Sequence, residues 1–357
     1  MVRIGEALLG IGLLTLVLAD AVRTMVVARH ARAIPLLTRS LLGGGWRLFA
    51  GAARIACPAR RLEGWLGIYG PLVLLMLLGA WASGMIVAFA LLQFSIVPAG
   101  GAAPPGFATE LYFSAASFFT LGTSPPQIPL AGYLMVVEAG AGLSFLGLVI
   151  GYLPTLYQSY ASRELRILLL DARAGSPPSA VGFLRRAGGN PDRLEARLAG
   201  WEEWALDLLQ SHLSYPMLAY FRSQHANQSW LAALTAMVDA SALLMLGAEG
   251  TLRDQAGFTF AAGRHALAHT AAVFGAQRSP SRQERLPAVA FAGLIAALAA
   301  AGPYLSRDHI VEAKLTALRA LYEPDAEALG TVFLLALPPW VPGEHEVANW
   351  QLASWGP

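Results

Sequence analysis

The sequence predicts an all-α membrane protein that carries a mostly helical cytosolic domain at its C-terminal end. Of its 357 residues, 55% are hydrophobic and only 13% are charged, and the mean hydropathy of +0.51 lies above the usual range of soluble domains. Three apolar stretches are long enough to cross a bilayer as helices. After residue 161 the pattern becomes amphipathic with helical spacing.

The charge balance and the cysteine count exclude several classes of function. A net charge of +2 gives no basic surface of the kind that binds nucleic acid, so no nucleic-acid partner is expected. Cys57 is the single cysteine, which excludes an intrachain disulfide and any metal site built on several cysteines.

The predicted spans cover residues 4–27, 65–97 and 130–157. The first is interpreted as an uncleaved anchor rather than a signal peptide, because no small-x-small cleavage site follows it. Asp20 and Arg23 lie three residues apart at its inner edge and are expected to form an ion pair. The chain is therefore predicted to be a multi-pass protein of the plasma membrane, in contact with lipid.

The segment between the first two spans sets the predicted orientation. It holds many arginines and a single acid, Glu63, so the positive-inside rule places it in the cytoplasm. The N-terminus is then outside, and the chain after the third span is cytoplasmic. Two hypotheses fit the segment equally well, a helix lying in the headgroup layer and a solvated basic loop. The first rests on apolar residues spaced among the arginines: Ile34, Leu37, Leu41, Trp46 and Phe49.

A short polar segment between the second and third spans is the most informative part of the chain. The run PAGGAAPPGFA cannot continue a helix, and it precedes a predicted helix of about three turns with Thr109 as N-cap and Glu110 in the first turn. That helix is too short to cross a bilayer. The irregular backbone of 120–124, TLGTS, is tolerated at membrane depth only where it lines a cavity or is buried in protein.

The chemistry of this predicted half-helix favours cations. Ser114, Ser117 and Thr120 recur every third residue and form a hydroxyl stripe. The C-terminal end of the helix carries the negative end of its dipole, which points into the proposed cavity.

Residues 65–160 resemble the pore module of potassium channels in the order of their parts: outer helix, turret, pore helix, filter and glycine-bearing inner helix. The resemblance implies that Thr120, Leu121, Gly122 and Thr123 present backbone carbonyls to a permeant ion, with the Thr120 hydroxyl forming the innermost ring. It also implies that Gly142 is the inner-helix hinge. Gly151 and Pro154 then lie at the inner end of that helix.

The filter departs from the family sequence T-V-G-Y-G at its outer half. Thr123 replaces an aromatic residue, Ser124 replaces a glycine that tolerates left-handed backbone, and Pro125 replaces an acid at the mouth. The sequence therefore predicts a non-standard filter that passes potassium, sodium or both. No cofactor other than this permeant ion is expected.

One acidic side chain lies within the third span. Glu138 is expected to brace the back of the pore helix through hydrogen bonds, together with Ser114 and Ser117, rather than to face the ions. Bending of the inner helix is expected at Gly142 and at Gly151 with Pro154, since glycine and proline weaken a helix.

The cytosolic region shows five stretches of helical spacing, at 194–213, 230–246, 263–274, 287–301 and 309–322. The run LRILLLDARAG could be a strand, but no G-x-G-x-x-G follows it, so a nucleotide-binding fold is not predicted. His265 and His269 are a weak metal candidate that lacks a third ligand. The polar and aromatic cluster from His212 to Trp230 is either a joint between helices or a ligand pocket, and the joint is favoured.

The hypothesis that unites these predictions is a homotetrameric cation channel that is gated by its cytosolic domain. Its parts would be an N-terminal transmembrane helix (1–28), a basic linker (29–64), a pore domain (65–160) and a regulatory helical domain (161–357). The alternative is a membrane-tethered sensor or scaffold that has lost conduction. A membrane enzyme ranks third, because no catalytic arrangement of side chains is evident.

Overall fold

The computed structural model describes residues 4–26, 34–97, 106–122, 128–187, 189–224, 227–278 and 284–343. These residues form helices joined by turns and irregular segments, and no strand occurs among them. The predicted all-α class is confirmed for this part of the chain. The chain divides into two compact units, Met1–Gln158 and Ser159–Pro357, and the division falls inside one long helix.

The first unit consists mainly of long apolar helices. Its described helices are α1 (Ile4–Met25), α2 (Leu36–Arg39), α3 (Trp46–Ala56), α4 (Ala59–Ile96), α5 (Phe107–Phe118) and the beginning of α6 (Pro129–Ala174). A π-helical turn, Ser40–Gly45, joins α2 to α3. Helices α1, α4 and α6 are long and apolar enough to cross a membrane. This agrees with the three spans predicted from the sequence, whereas the orientation stays a prediction.

Helices α1 and α4 pack closely because glycines lie at their contacts. A Cβ at Gly10 would lie 2.9 Å from the Leu92 Cγ, and a Cβ at Gly84 would lie 2.7 Å from a Val17 methyl carbon. Residues early in α1 therefore face residues late in α4, so the two helices are antiparallel. Small residues at such contacts let helix backbones approach each other in a membrane.

The predicted ion pair between Asp20 and Arg23 is wrong. Asp20 is buried and accepts hydrogen bonds from the Thr38 hydroxyl at 2.6 Å and from the Trp81 indole nitrogen at 2.9 Å, while Arg23 is exposed. The carboxylate thus ties α1 to the segment that follows it and to α4. These partners are distant in sequence, and the local spacing of charges could not indicate them.

The described part of the basic linker is helical rather than an irregular loop. Leu42 and Trp46 are buried, and the Trp46 ring lies 5.1 Å from that of Tyr69, whose hydroxyl donates to the Leu41 carbonyl at 2.6 Å. Part of the apolar face predicted to contact headgroups packs on α4 instead. Contact of the linker with lipid stays a prediction.

The second unit is built around one largely buried helix. Its described α-helices beyond α6 are α7 (Ala180–Arg185), α8 (Pro191–Ser214), α9 (Trp230–Gly247), α10 (Gly250–Val273), α11 (Ala288–Ala297), α12 (Glu312–Arg319) and α13 (Glu323–Phe333). Helix α9 contacts α7, α8, α10, α12 and α13. It is long and apolar enough to span a membrane, which the sequence analysis did not recognise, but 89% of its residues are buried inside the protein. It therefore forms the core of this unit.

All five stretches of helical spacing predicted for the cytosolic region overlap helices in the structure. The clearest boundary error is α10, which begins at Gly250, well before residue 263. The run LRILLLDARAG is not a strand, since α6 continues through it to Ala174. Helix α7, which has only six residues, and the first half of α13 were not predicted.

Candidate functional site

The half-helix predicted from the sequence is α5, which has 12 residues. At a rise of about 1.5 Å per residue it is roughly 18 Å long, too short for a hydrocarbon core of about 30 Å. It begins two residues before the predicted cap: Gly106 occupies the N-cap position and no side chain caps the helix, so the assignment of Thr109 as N-cap is wrong. Glu110 does lie in the first turn, where an acidic side chain interacts favourably with the positive end of the helix dipole.

The C-terminal end of α5 closes through a Schellman motif. The Leu121 backbone nitrogen donates to the Ala116 carbonyl at 2.8 Å, and that of Thr120 donates to the Ser117 carbonyl at 3.0 Å. Thr120 occupies the left-handed position with a φ of +53°, which is uncommon for a β-branched residue. The chain leaves the helix at Thr120 in a strained conformation, of the kind that clusters at functional sites.

The first residues of the predicted filter follow this turn. Leu121 is 74% exposed, Gly122 is exposed, and Gly122 has a φ of +79°, which favours glycine. Thr123 and Ser124 lie outside the described residues. The structure therefore places Thr120, Leu121 and Gly122 on an exposed, irregular backbone at the end of the half-helix.

A buried hydrogen-bond cluster holds the other side of α5. Glu138 on α6 accepts a bond from the Gln93 side-chain amide on α4 at 2.8 Å, and it makes a short hydrogen bond with the Ser114 hydroxyl on α5. Gln93, Ser114 and Glu138 are all buried. We call these three residues the brace, because they connect the three helices that form the site.

The two hydrogen-bond contacts of the Ser114 hydroxyl indicate where the protons of the brace lie. The Ser114 oxygen lies within hydrogen-bond distance of both the Ile86 carbonyl, at 2.7 Å, and the Glu138 carboxyl. A single hydroxyl proton can be donated to only one of them. Both contacts are satisfied if Glu138 carries a proton and donates it to Ser114, which then donates its own to Ile86.

The predicted hydroxyl stripe does not line one surface. Ser114 faces the brace between α4 and α6, Ser117 is buried with its hydroxyl unpaired, and Thr120 is exposed at the helix end. Of the predicted supporting residues, Ser114 and Glu138 contact each other, whereas Ser117 does not join them.

Gly142 lies where α6 meets the end of α5. A Cβ at this position would lie 2.1 Å from the Phe118 carbonyl oxygen, a backbone atom that cannot rotate away. Phe118 is two residues before Thr120, so Gly142 lies close to the start of the predicted filter. The glycine is required here for helix packing, and its predicted hinge role is untested.

The two other predicted gating residues lie farther along α6. The helix continues through Gly151 and Pro154, and a Cβ at Gly151 would meet no atom within 4 Å. Pro154 has no amide proton, so the helix loses one backbone bond at this turn. The Thr155 hydroxyl donates to the Tyr152 carbonyl at 2.8 Å beside it.

The candidate metal site gains no third ligand. His265 and His269 are exposed on α10 with ring centroids 4.2 Å apart. Within the described ranges, no group of three or more histidine, cysteine, aspartate or glutamate side chains could hold a metal ion.

The polar cluster after α8 serves as a joint between helices in the described residues. Arg222 donates to the carbonyls of Phe333 and Leu334 at the end of α13, and the Trp230 indole nitrogen donates to the Ala219 carbonyl at 3.3 Å. His212 is buried, and its ring centroid lies 4.9 Å from that of Trp230.

Sequence reasoning missed Gln93, the α4 member of the brace. Its signal was a lone amide within an otherwise apolar span, since a polar side chain at such a position needs a partner. Comparison of the chain with protein-family models, with characterised proteins and with solved structures found no match.

Proposed function

We propose that the protein is a homotetrameric cation channel with a potassium-channel-like pore and a non-standard filter of residues 120–124. The observation that carries the proposal is a 12-residue helix, held between two long apolar helices, that ends in exposed left-handed backbone at Thr120 and Gly122. Irregular backbone at membrane depth is tolerated where it lines a watery path.

The contacts of α5 support this proposal. The brace fixes α5 against α4 and α6 on one side, and the close approach of Gly142 fixes its C-terminal end. Both contacts hold the backbone of Thr120 to Gly122 in place. A selectivity filter needs such support, because ion preference depends on the positions of carbonyl oxygens.

The exposure of α6 supports assembly from several chains. Only 11% of its most apolar window is buried, against 39% for α4. Large side chains such as Leu143, Leu146 and Ile150 are exposed. Neighbouring copies and lipid would cover them, and closed symmetry would bring one loop from each chain to a central axis.

The second candidate is a membrane-tethered scaffold or sensor that does not conduct. The observation that favours it is the filter sequence itself, in which Ser124 and Pro125 stand where the related family has a glycine and an acid. Such a protein would keep the assembly and the brace without passing ions.

Reconstitution of the purified protein into planar bilayers tests the proposal. We expect single-channel currents, with reversal potentials that show sodium passing at a rate comparable with potassium. A triple variant, Thr123→Tyr with Ser124→Gly and Pro125→Asp, should raise the preference for potassium. A strong potassium preference of the wild type would contradict the non-standard filter.

The mass and symmetry of the purified protein distinguish a tetrameric channel or scaffold from a simple membrane anchor. We expect a fourfold symmetric particle by electron microscopy and a tetramer by native mass spectrometry. A monomer or dimer whose 120–124 loop faces lipid would overturn the proposal. A symmetric tetramer without current would favour the scaffold.

A further inference from the structure

Four arginines of the second unit lie on facing surfaces of two helices. Arg166 and Arg173 are seven residues apart on α6, and Arg193 and Arg197 are four apart on α8, so each pair shares one helix face. The α8 face meets α6, since a Cβ at Gly200, three residues after Arg197, would lie 3.5 Å from the Arg166 Nη1. We call Arg166, Arg173, Arg193 and Arg197 the arginine seam.

No described side chain neutralises the arginine seam. The Arg197 side chain is half-buried, and its buried Nη1 atom has no hydrogen-bond partner among the described residues. Burial, followed by the positive charges of Arg173 and Arg193, lowers the pKa of the Arg197 guanidinium. A buried guanidinium nitrogen without an acceptor is costly and rare in folded proteins, so its presence needs an explanation.

The other buried arginines of this unit are all satisfied. Arg163 donates to the carbonyls of Leu218 and Phe221, and Arg285 and Arg319 pair with buried carboxylates. The fold therefore supplies acceptors to its arginines elsewhere. The arginine seam differs in lacking them.

Two acidic residues of α8 contact α10 rather than the arginine seam. The Glu195 carboxylate accepts from the Thr251 hydroxyl at 2.6 Å, and the Glu202 carboxylate accepts from the Gln255 amide at 2.7 Å, both on α10. Helix α8 thus separates its charges, with these acids toward α10 and arginines toward α6. The arginines on the side facing α6 are not paired with these two acids.

We propose that the arginine seam binds a phosphate-bearing anion. Guanidinium groups donate two parallel hydrogen bonds to phosphate oxygens, and Arg173 and Arg193 lie close enough to Arg197 for their charges to act on it. The anion would accept the bond that Arg197 lacks and would offset the repulsion among the four charges. Either a soluble phosphate compound or the headgroup of an anionic phospholipid has this chemistry. The site is independent of whether the protein conducts ions.

Binding measurements on the full-length protein test this site. Radiolabelled pyrophosphate is titrated onto protein in nanodiscs of phosphatidylcholine, and a parallel arm counts phosphatidylglycerol molecules retained by native mass spectrometry. We expect saturable binding in at least one arm. Arg173→Gln with Arg197→Gln should weaken it by roughly tenfold or more, because charge-assisted hydrogen bonds are lost.

A matched variant controls for the change in net charge. Arg253→Gln with Arg264→Gln removes two exposed arginines of α10 and should leave the affinity unchanged. Arg193→Gln, at an exposed position of the seam, tests the site with little risk to folding and should weaken binding severalfold.

The two arms also identify the source of the phosphate. Seam-dependent binding of pyrophosphate supports a soluble ligand, and seam-dependent retention of phosphatidylglycerol alone supports a headgroup. The proposal is overturned if neither probe binds saturably. It is equally overturned if the seam variants bind as tightly as the α10 control.

Discussion

Among the described residues, each unit buries one carboxyl group completely, and the two units satisfy it in opposite ways. Glu138 in the first unit and Asp239 in the second are both 0% exposed. The partners of Glu138 are neutral, an amide and a hydroxyl. The partners of Asp239 are the Arg285 guanidinium and the Tyr322 hydroxyl.

The environment of Asp239 is an ionic network. Arg285 also pairs with Glu323 at 2.9 Å, and Glu323 pairs with Arg319 at 3.0 Å, so two acids and two arginines balance. Burial alone lowers the pKa of Arg285, but the adjacent Asp239 charge outweighs it and raises that pKa above its usual value. Burial and the same charge raise the pKa of Tyr322 well above 10. Burial also raises the pKa of Asp239, and the Arg285 charge together with the hydrogen bonds from Arg285 and Tyr322 opposes that rise.

The difference follows from the surroundings of each group. Charge inside a bilayer is costly, so a span favours a carboxyl that neutral groups can satisfy. A protein core can bury an ion pair if further hydrogen bonds complete it, and here Arg285 also donates to the Pro338 carbonyl. The brace therefore depends on geometry, whereas the network around Asp239 depends on charge.

Breaking the ionic network should have the largest effect. Arg285→Gln leaves Asp239 buried without its counter-charge, and we expect the free energy of unfolding to fall by about 3–5 kcal/mol. Denaturant unfolding of the full-length protein, followed by near-ultraviolet circular dichroism, measures it. Arg253→Gln is the control: this arginine of α10 is exposed, and its loss should change the free energy of unfolding by about 0.5 kcal/mol or less. If the two variants lose the same free energy of unfolding, the network around Asp239 does not depend on the Arg285 charge.

Truncation of the brace should have the next largest effect. Glu138→Ala leaves the Gln93 amide without its acceptor in a buried site, at about 1–3 kcal/mol for the stranded group, with an added cavity cost. Glu138→Gln keeps the shape and supplies a donor to Ser114, so we expect a change below about 1 kcal/mol. Thermal unfolding of both variants in nanodiscs measures the difference. A Gln variant as unstable as the Ala variant would show that the brace needs a negative charge.

A side chain at Gly142 should force α5 and α6 apart, and this tests whether the brace depends on their close packing. Gly142 is one turn beyond Glu138, and Gly142→Ala forces its new methyl against the Phe118 carbonyl. We expect a loss of about 1–3 kcal/mol and altered ion flux in liposomes. Gly151→Ala, on the same helix in open space, should be neutral or stabilising by up to about 1 kcal/mol. If the two variants have the same stability and ion flux, Gly142 is not required for the packing of α5 on α6.

Acid should act on the second unit through His212. Burial, and then the charge of Arg163, lower the pKa of His212 from 6.5 to about 3. The folded state holds the neutral imidazole, so the contribution of His212 to the free energy of unfolding is fully present above pH 6.5. Stability should then fall by about 1.4 kcal/mol per pH unit as pH drops from 6.5 toward 3. His212→Asn should flatten this slope in unfolding curves, whereas the exposed control His309→Asn should keep it.

Local patterns were sufficient to predict several parts of the fold. The three apolar spans, the short helix between the second and third, and the helical character of the second unit follow from composition and spacing along a few turns. Glu138 was recognised because one ionisable residue in a span requires a partner. The burial of α9 was not predicted, because an apolar run of 18 residues has the same composition in a protein core as in a membrane.

The tertiary structure decided which groups meet, and the sequence could not. Gln93 and Glu138 are 45 residues apart, and Tyr322 and Asp239 are 83 apart, so no local spacing indicates either contact. The expected Asp20–Arg23 pair was wrong for the same reason, since packing brings Thr38 and Trp81, not Arg23, to the Asp20 carboxyl group. Helical periodicity is a property of neighbouring residues and can be read from the chain. The partner of a buried polar group depends instead on how distant helices pack, which here includes the approach of Gly142 to Phe118.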